Sequence, residues 1–188
     1  ASRSGKGQRL WDEIIEPALI QKKVSYQSYC SKSPGEVTDI IRMLSTKYND
    51  APLRLVILGG DGTINETLQG MERFDNTTIS YIPTGSSNDL ARDMGIKGDS
   101  LKILDAVLQT DNTVSMDVGL LSTQYGKRRF AVSCGIGYDA AVCHESLHSK
   151  IKVRRTVEID GEKKTKLIDT TLGKIIFNNP IPQDLGFV

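Results

Sequence analysis

Two glycine-rich loops constrain this chain more than any other feature, because each follows a strand-like run and precedes a helical stretch. The first reads Gly59-Gly60-Asp61-Gly62-Thr63-Ile64-Asn65-Glu66 and follows the mostly apolar residues 53–58. The second reads Pro83-Thr84-Gly85-Ser86-Ser87-Asn88-Asp89 and follows residues 78–82. A short apolar run cut by glycine predicts a strand covered on both faces. Ile64, Leu68 and Met71 recur at helical spacing after it,. Strand–loop–helix units of this kind imply βαβ connections and a mainly parallel sheet. Ligands of such sheets bind at the carboxyl ends of the strands, where both loops fall.

The rest of the chain fits the same alternation. A helix is expected over residues 7–22, where Pro17 introduces a kink, and a strand over 24–29,. Ser33-Pro34-Gly35-Glu36 predicts a helix start with a capping box, followed by Val37, Ile40, Ile41, Leu44 and Tyr48,. A short helix ends near Gly95, and Ser100 caps another carrying Leu101, Leu104, Val107 and Leu108,. Residues 114–121 and 129–134 read as two strands joined through a turn at 124–127, and a helix is expected to run on to about Lys150,.

Glycines at 59, 60 and 62 let backbone approach a ligand without Cβ interference. The first amides of the following helix then present partial positive charge, for which a phosphate is the natural guest. Asp61 repels phosphate, so its expected work is to hold Mg²⁺ or to accept a proton from an attacking hydroxyl. The competing reading is a hairpin, since Asp-Gly favours a type I′ turn. In the second loop, Ser86 with Asp89 forms either a ligand contact or a plain N-cap. Ser4-Gly5-Lys6-Gly7 offers amides, a hydroxyl and a lysine before the first helix, but departs from the Walker pattern,.

The balance of the composition excludes several classes. Lys and Arg number 24 against 23 Asp and Glu, a net charge of +1 that argues against nucleic acid as a partner,. No apolar run reaches the roughly 18 residues of a membrane span. No signal peptide opens the chain, and its 3 cysteines fit thiols in a reducing cytosol,. His144 and His148 share a helical face, which reads as a solvated surface in the absence of a third ligand.

GGDGTINE followed by PTGSSNDLAR resembles the diacylglycerol kinase catalytic domain, whose GGDG signature is shared with NAD kinases and 6-phosphofructokinases. SRSGKG resembles that family's NPxSGxG loop. The resemblance covers residues 1–149. It implies a Rossmann-like three-layer αβα nucleotide-binding domain of the NAD kinase/diacylglycerol kinase type, with its first strand missing. It further implies a cytoplasmic lipid kinase, peripheral to the inner face of the membrane, that uses ATP and Mg²⁺ to phosphorylate a lipid hydroxyl such as diacylglycerol's. NAD kinase, or a catalytically silent nucleotide-binding fragment, is the alternative. Carried over by position, Ser4 and Gly5 line the triphosphate and Ser31 contacts the nucleotide. Gly60, Asp61, Gly62, Thr63, Ile64, Asn65 and Glu66 cradle the phosphates, and Ser86 keeps the second loop's hydroxyl. Asp61 is the residue nearest the chemistry, and Asp61→Asn is expected to abolish transfer with little loss of folding. The family's general base and metal-binding carboxylates lie on a second, mostly β domain, so the metal ligands stay unassigned.

Residues 150–188 differ in character. They form a β-rich tail, either an incomplete lipid domain or a foreign segment. TTLGKIIFNNPIPQDLGF resembles a segment of the largest (β′) subunit of bacterial RNA polymerase, through its TTxGK element and spaced prolines.

Overall fold

The computed structural model describes residues 6–109, 113–135, 137–138, 140–141, 144, 153–159 and 162–168. They fall into two compact units, Ala1–Ser133 and Cys134–Val188. The first unit opens with helix α1 (Lys6–Leu10), a π-helical turn (Trp11–Ile15) and α2 (Glu16–Gln21). The Glu16 amide reaches back to the Trp11 carbonyl. This wider turn comes just before Pro17, which has no amide to give. The predicted kink is therefore a π turn with helical backbone angles on both sides.

No strand forms over 24–29. Without a partner edge an alternating segment has no ladder to join, and among the described residues strand β1 (Leu53–Gly59) pairs with β2 (Thr77–Pro83) alone. The segment instead follows the first helix. The Val24 amide bonds to the Leu19 carbonyl, Tyr26 donates to Glu16 Oε1 at 3.1 Å, and Cys30 Sγ donates to Gln8 Oε1 at 3.2 Å.

β1 and β2 run parallel in the register Leu53↔Thr77 through Gly59↔Pro83. One face carries Leu53, Leu55, Ile57 and Tyr81 against α3 (Glu36–Lys47) and α4 (Asp61–Gly70). The other carries Ile82 and Leu58 against Ile15, Leu19 and the α6 residues Ile103 and Leu104 (α6 is Ser100–Gln109). Helices on both faces make three layers. Ile82, Leu68 and Leu104 are fully enclosed, and each such side chain contributes about 2 kcal/mol of burial. β1 is not covered equally on its two faces: Arg54 is exposed and Val56 is 41 % exposed.

Two helix starts differ from expectation. Gly35, with φ of 89°, precedes α3, and Glu36 reaches back to accept the Lys32 and Ser33 amides at 2.6 and 3.2 Å. Those bonds hold the Glu36 carboxyl below its ordinary range. Half of the capping box thus forms, while the cap position passes from Ser33 to Gly35. At α6 the Asp99 carboxylate caps the Lys102 amide at 2.9 Å, so Ser100 is the first helical residue rather than the cap.

Strands β3 (Gly119–Thr123) and β4 (Gly126–Phe130) form an antiparallel hairpin, tighter than predicted, around Gln124 and Tyr125. In the second unit a helical bond joins the Ala141 amide to Gly137. There β5 (Val153–Ile159) pairs antiparallel with β6 (Glu162–Ile168). Most of the helix expected up to Lys150, and the TTLGK segment, lie outside the described residues.

Candidate nucleotide-binding site

β1 ends at Gly59, and the chain passes straight into helix α4 at Asp61 rather than into a strand paired back on β1. The hairpin reading of Asp61-Gly62 is thereby excluded. The second loop leaves the neighbouring strand at the same edge, where the Thr84 amide donates to the Gly59 carbonyl at 2.7 Å. Both loops therefore lie at the carboxyl end of a parallel sheet, as the sequence implied.

The loops touch through their glycines. A Cβ on Gly60 would come within 3.1 Å of Gly85 Cα, and one on Gly85 within 2.7 Å of Gly60 Cα. Only residues without side chains permit that approach. Asp61 closes the junction: its two carboxylate oxygens accept the Asp89 and Leu90 amides at 3.0 and 3.2 Å. These are the opening amides of α5 (Asp89–Asp93), so Asp61 caps a helix that starts 28 residues further along the chain,. This corrects two expectations. Ser86 does not cap α5, and Asp61 contributes to folding as well as facing the pocket.

Asn88 precedes α5 in the left-handed region, with φ 51° and ψ 52°. Its Oδ1 accepts the Gly85 amide at 2.9 Å and the Tyr81 hydroxyl at 3.2 Å, while its Nδ2 donates to the Gly85 carbonyl at 2.9 Å. Burial, and after it the Asp61 carboxylate, push the Tyr81 phenol up to about 12.

Five of the predicted residues border two hollows beside α4, while Gly60, Thr63 and Ser86 line neither. Asp61, Gly62, Ile64 and Asn65 border one of about 290 Å³, together with Asp89 and the β4 end at Phe130. Glu66 borders the other, about 1120 Å³, with Gly35 just before α3 and Arg128 of β4. The Thr63 and Ile64 amides both turn onto the Gly60 carbonyl, at 2.9 and 3.2 Å. That leaves Asp61 and Gly62 as the first-turn amides without an acceptor inside the helix. Ile64 is buried in the core. Asn65 accepts a bond from Arg128 at 3.0 Å, and Glu66 accepts the Gly35 amide at 3.0 Å. Ser31 is half-buried two residues before Ser33, and Ser86 is exposed. Ser4 and Gly5 lie outside the described residues.

Sequence reasoning missed the attachment of the hairpin to α4. Gln69 Oε1 accepts the Arg129 amide and Gln69 Nε2 donates to the Arg129 carbonyl, both at 2.9 Å. The Arg129 guanidinium in turn donates to the Leu68 and Met71 carbonyls at 3.0 Å, where α4 runs out of internal donors,. No local pattern announces a pairing 60 residues apart.

A phosphate suits the edge so formed. Beyond its own helix backbone and chain neighbours, Gly62 has no described atom within 4 Å of where a Cβ would stand. The Thr84 hydroxyl, in the loop beside it, is buried without a partner. Mg²⁺ asks for only one or two carboxylates beside phosphate oxygens, and Asp61 and Asp89 border the same hollow. Among the described residues no group of three or more His, Cys, Asp or Glu could hold a metal by itself.

Comparison with known proteins agrees with the geometry. YtlR of Bacillus subtilis, whose name assigns it to the lipid kinases, is 27% identical over 151 residues, covering 78% of this chain and 48% of YtlR. The diacylglycerol kinase of Staphylococcus epidermidis is 28% identical over 124 residues, 63% of this chain and 38% of that enzyme. The chain thus spans about half the length, or less, of these relatives. Its C-terminal segment matches a different protein. Over 42 residues it is 71% identical to the RNA polymerase β′ subunit of Caldanaerobacter subterraneus, covering 22% of this chain and 4% of that subunit. The model of the diacylglycerol kinase catalytic domain matches residues 1–121, and the chain belongs to that family.

Proposed function

We propose that residues 1–149 are the ATP-binding part of a lipid kinase that moves the γ-phosphate of ATP to a lipid hydroxyl such as that of diacylglycerol. One observation carries the reading. Asp61 and Gly62, whose amides lack an acceptor inside the helix, border a hollow at the carboxyl end of a parallel strand, with free space at Gly62,. Such amides bind and orient a phosphate through the positive end of the helix. In this reading Ser4, Gly5, Ser31, residues 60–66 and Ser86 contact the nucleotide. Asp61 and Asp89 are the carboxylates that would hold Mg²⁺, and Asp61 is the group nearest the attacking hydroxyl. Bound MgATP would supply the phosphoryl group and neutralise charge developing on it. The chain's own part is to fix the phosphates in line for attack. The acceptor implies work at a membrane surface by a peripherally attached protein. Among the described residues no helix is long and apolar enough to cross a bilayer.

A second reading applies to the 188-residue chain taken alone. The lipid-kinase relatives extend well beyond the matched part, and the C-terminal segment is polymerase-like. Residues 150–188 are then a foreign segment, and the chain binds ATP without phosphorylating lipid. The deciding experiment offers radiolabelled ATP and Mg²⁺ with diacylglycerol vesicles in one arm and NAD in the other. It is run on this chain and on a full-length kinase carrying the same nucleotide part. Label in the lipid from the full-length enzyme supports the proposal. Label in the NAD arm alone overturns it in favour of an NAD kinase.

A further inference from the structure

We infer that Asn88 is a positioning residue, and that with Tyr81 it sets the shape of the second loop and delivers the first amides of α5 to Asp61. The inference rests on the nucleotide-binding reading, since its consequence is the placement of groups around that site. Asn88 serves three purposes, two through its side chain and one through its backbone. Its Oδ1 and Nδ2 engage both polar groups of Gly85, which locks that residue's backbone. The same Oδ1 takes the hydroxyl of the buried Tyr81, tying the loop to the strand beneath it. Its left-handed backbone turns the chain, so that the next two amides, of Asp89 and Leu90, meet the Asp61 carboxylate.

Asparagine suits all three. It tolerates positive φ better than other residues with a Cβ, and its amide offers donor and acceptor together. Aspartate in its place would turn an oxygen toward the Gly85 carbonyl and add charge beside Asp61. Gly85 must lack a Cβ here, because one would lie 2.7 Å from Asn88 Oδ1. Tyr81, Asn88, Gly85, Gly60 and Asp61 thus form one continuous brace that sets the spacing between the two loops. Asn88 acts through Gly85 and Asp61 rather than by touching the ligand.

The test uses the full chain with Asn88→Gly, which keeps the backbone angle but removes the side-chain bonds, and Tyr81→Phe, which removes one donor. Amide hydrogen exchange is read at Gly85, Asp89 and Leu90, with Ile41 and Leu44 of α3 as internal controls. MgATP affinity is measured by calorimetry on the same samples. In Asn88→Gly the three loop amides should exchange about tenfold faster and ATP should bind about tenfold more weakly, the effect of losing a net hydrogen bond. The α3 amides should hold, and Tyr81→Phe should fall between this variant and wild type. Unchanged exchange at the three amides overturns the brace. Faster exchange with unchanged ATP affinity overturns the positioning role. A wild-type chain that binds no ATP refutes the nucleotide reading and leaves Asn88 nothing to position. The exchange data distinguish that failure from failure of the brace.

Discussion

Removing the Asp61 carboxylate should cost measurable folding stability, because both of its oxygens are committed to backbone amides. The bonds to Asp89 and Leu90, at 3.0 and 3.2 Å, join two loops and cap α5. In this half-buried setting each is worth about 1 kcal/mol net, so Asp61→Ala should cost about 2 kcal/mol. The charge also sits in the first turn of α4, where it favours the helix by a few tenths more,. For a unit the size of Ala1–Ser133 that corresponds to a fall in Tm of about 7 °C,. Asp61→Asn keeps one acceptor but turns its NH₂ toward the other amide, so about half the loss is expected. Asp93, exposed on the same short helix, is the control, and Asp93→Ala should change stability by less than about 0.5 kcal/mol,. Thermal melts followed by circular dichroism decide the matter. The reasoning is refuted if Asp61→Ala melts within a degree of wild type, or if Asp93→Ala loses as much.

Three further outcomes follow from contacts elsewhere around the site. Gly85→Ala should destabilise by about 1–3 kcal/mol in denaturant titration, through overpacking against backbone. Gly60→Ala should cost less, since its nearest contact is 3.1 Å rather than 2.7 Å. The folded-state pKa of Tyr81 lies above its unfolded value. Its contribution is therefore fully present below about pH 10 and is lost as pH rises toward 12. Near-ultraviolet titration should show a late-ionising phenol that Tyr81→Phe removes. Arg129→Ala should lower the urea midpoint by the equivalent of about 2 kcal/mol by stripping the α4 carbonyls of their donor,. An unchanged midpoint would mean that the hairpin is not held there.

The sequence was informative where physics is local. A mostly apolar run cut by glycine located β1 within a residue and α4 behind it, because strand, turn and helix each left their own period. The parallel pairing, and the edge on which both loops lie, followed from the alternation of elements. What escaped was set by partners distant in the chain. The alternating residues 24–29 indicate a strand only if an edge is available to receive them. Asp61 looks like a chemical group until its 28-residue link to α5 is seen. Glu66 also accepts the Gly35 amide 31 residues away, a link that no local pattern announces. Ser33 and Gly35 both suit a helix start, and only the path of the chain from Lys32 selects between them.

The central claim is that open amides at the head of α4 hold a triphosphate, and Gly62→Ala tests it most directly. A Cβ on Gly62 would meet no described atom outside its own helix and chain neighbours, and alanine should favour a helical position by about 0.5–1 kcal/mol. The fold should therefore melt no lower than wild type while the new methyl obstructs the phosphate. Calorimetric titration of MgATP into both proteins should give binding to wild type and affinity at least about tenfold weaker in the stable variant. Equal affinity in the two, or no binding by wild type, would contradict the account.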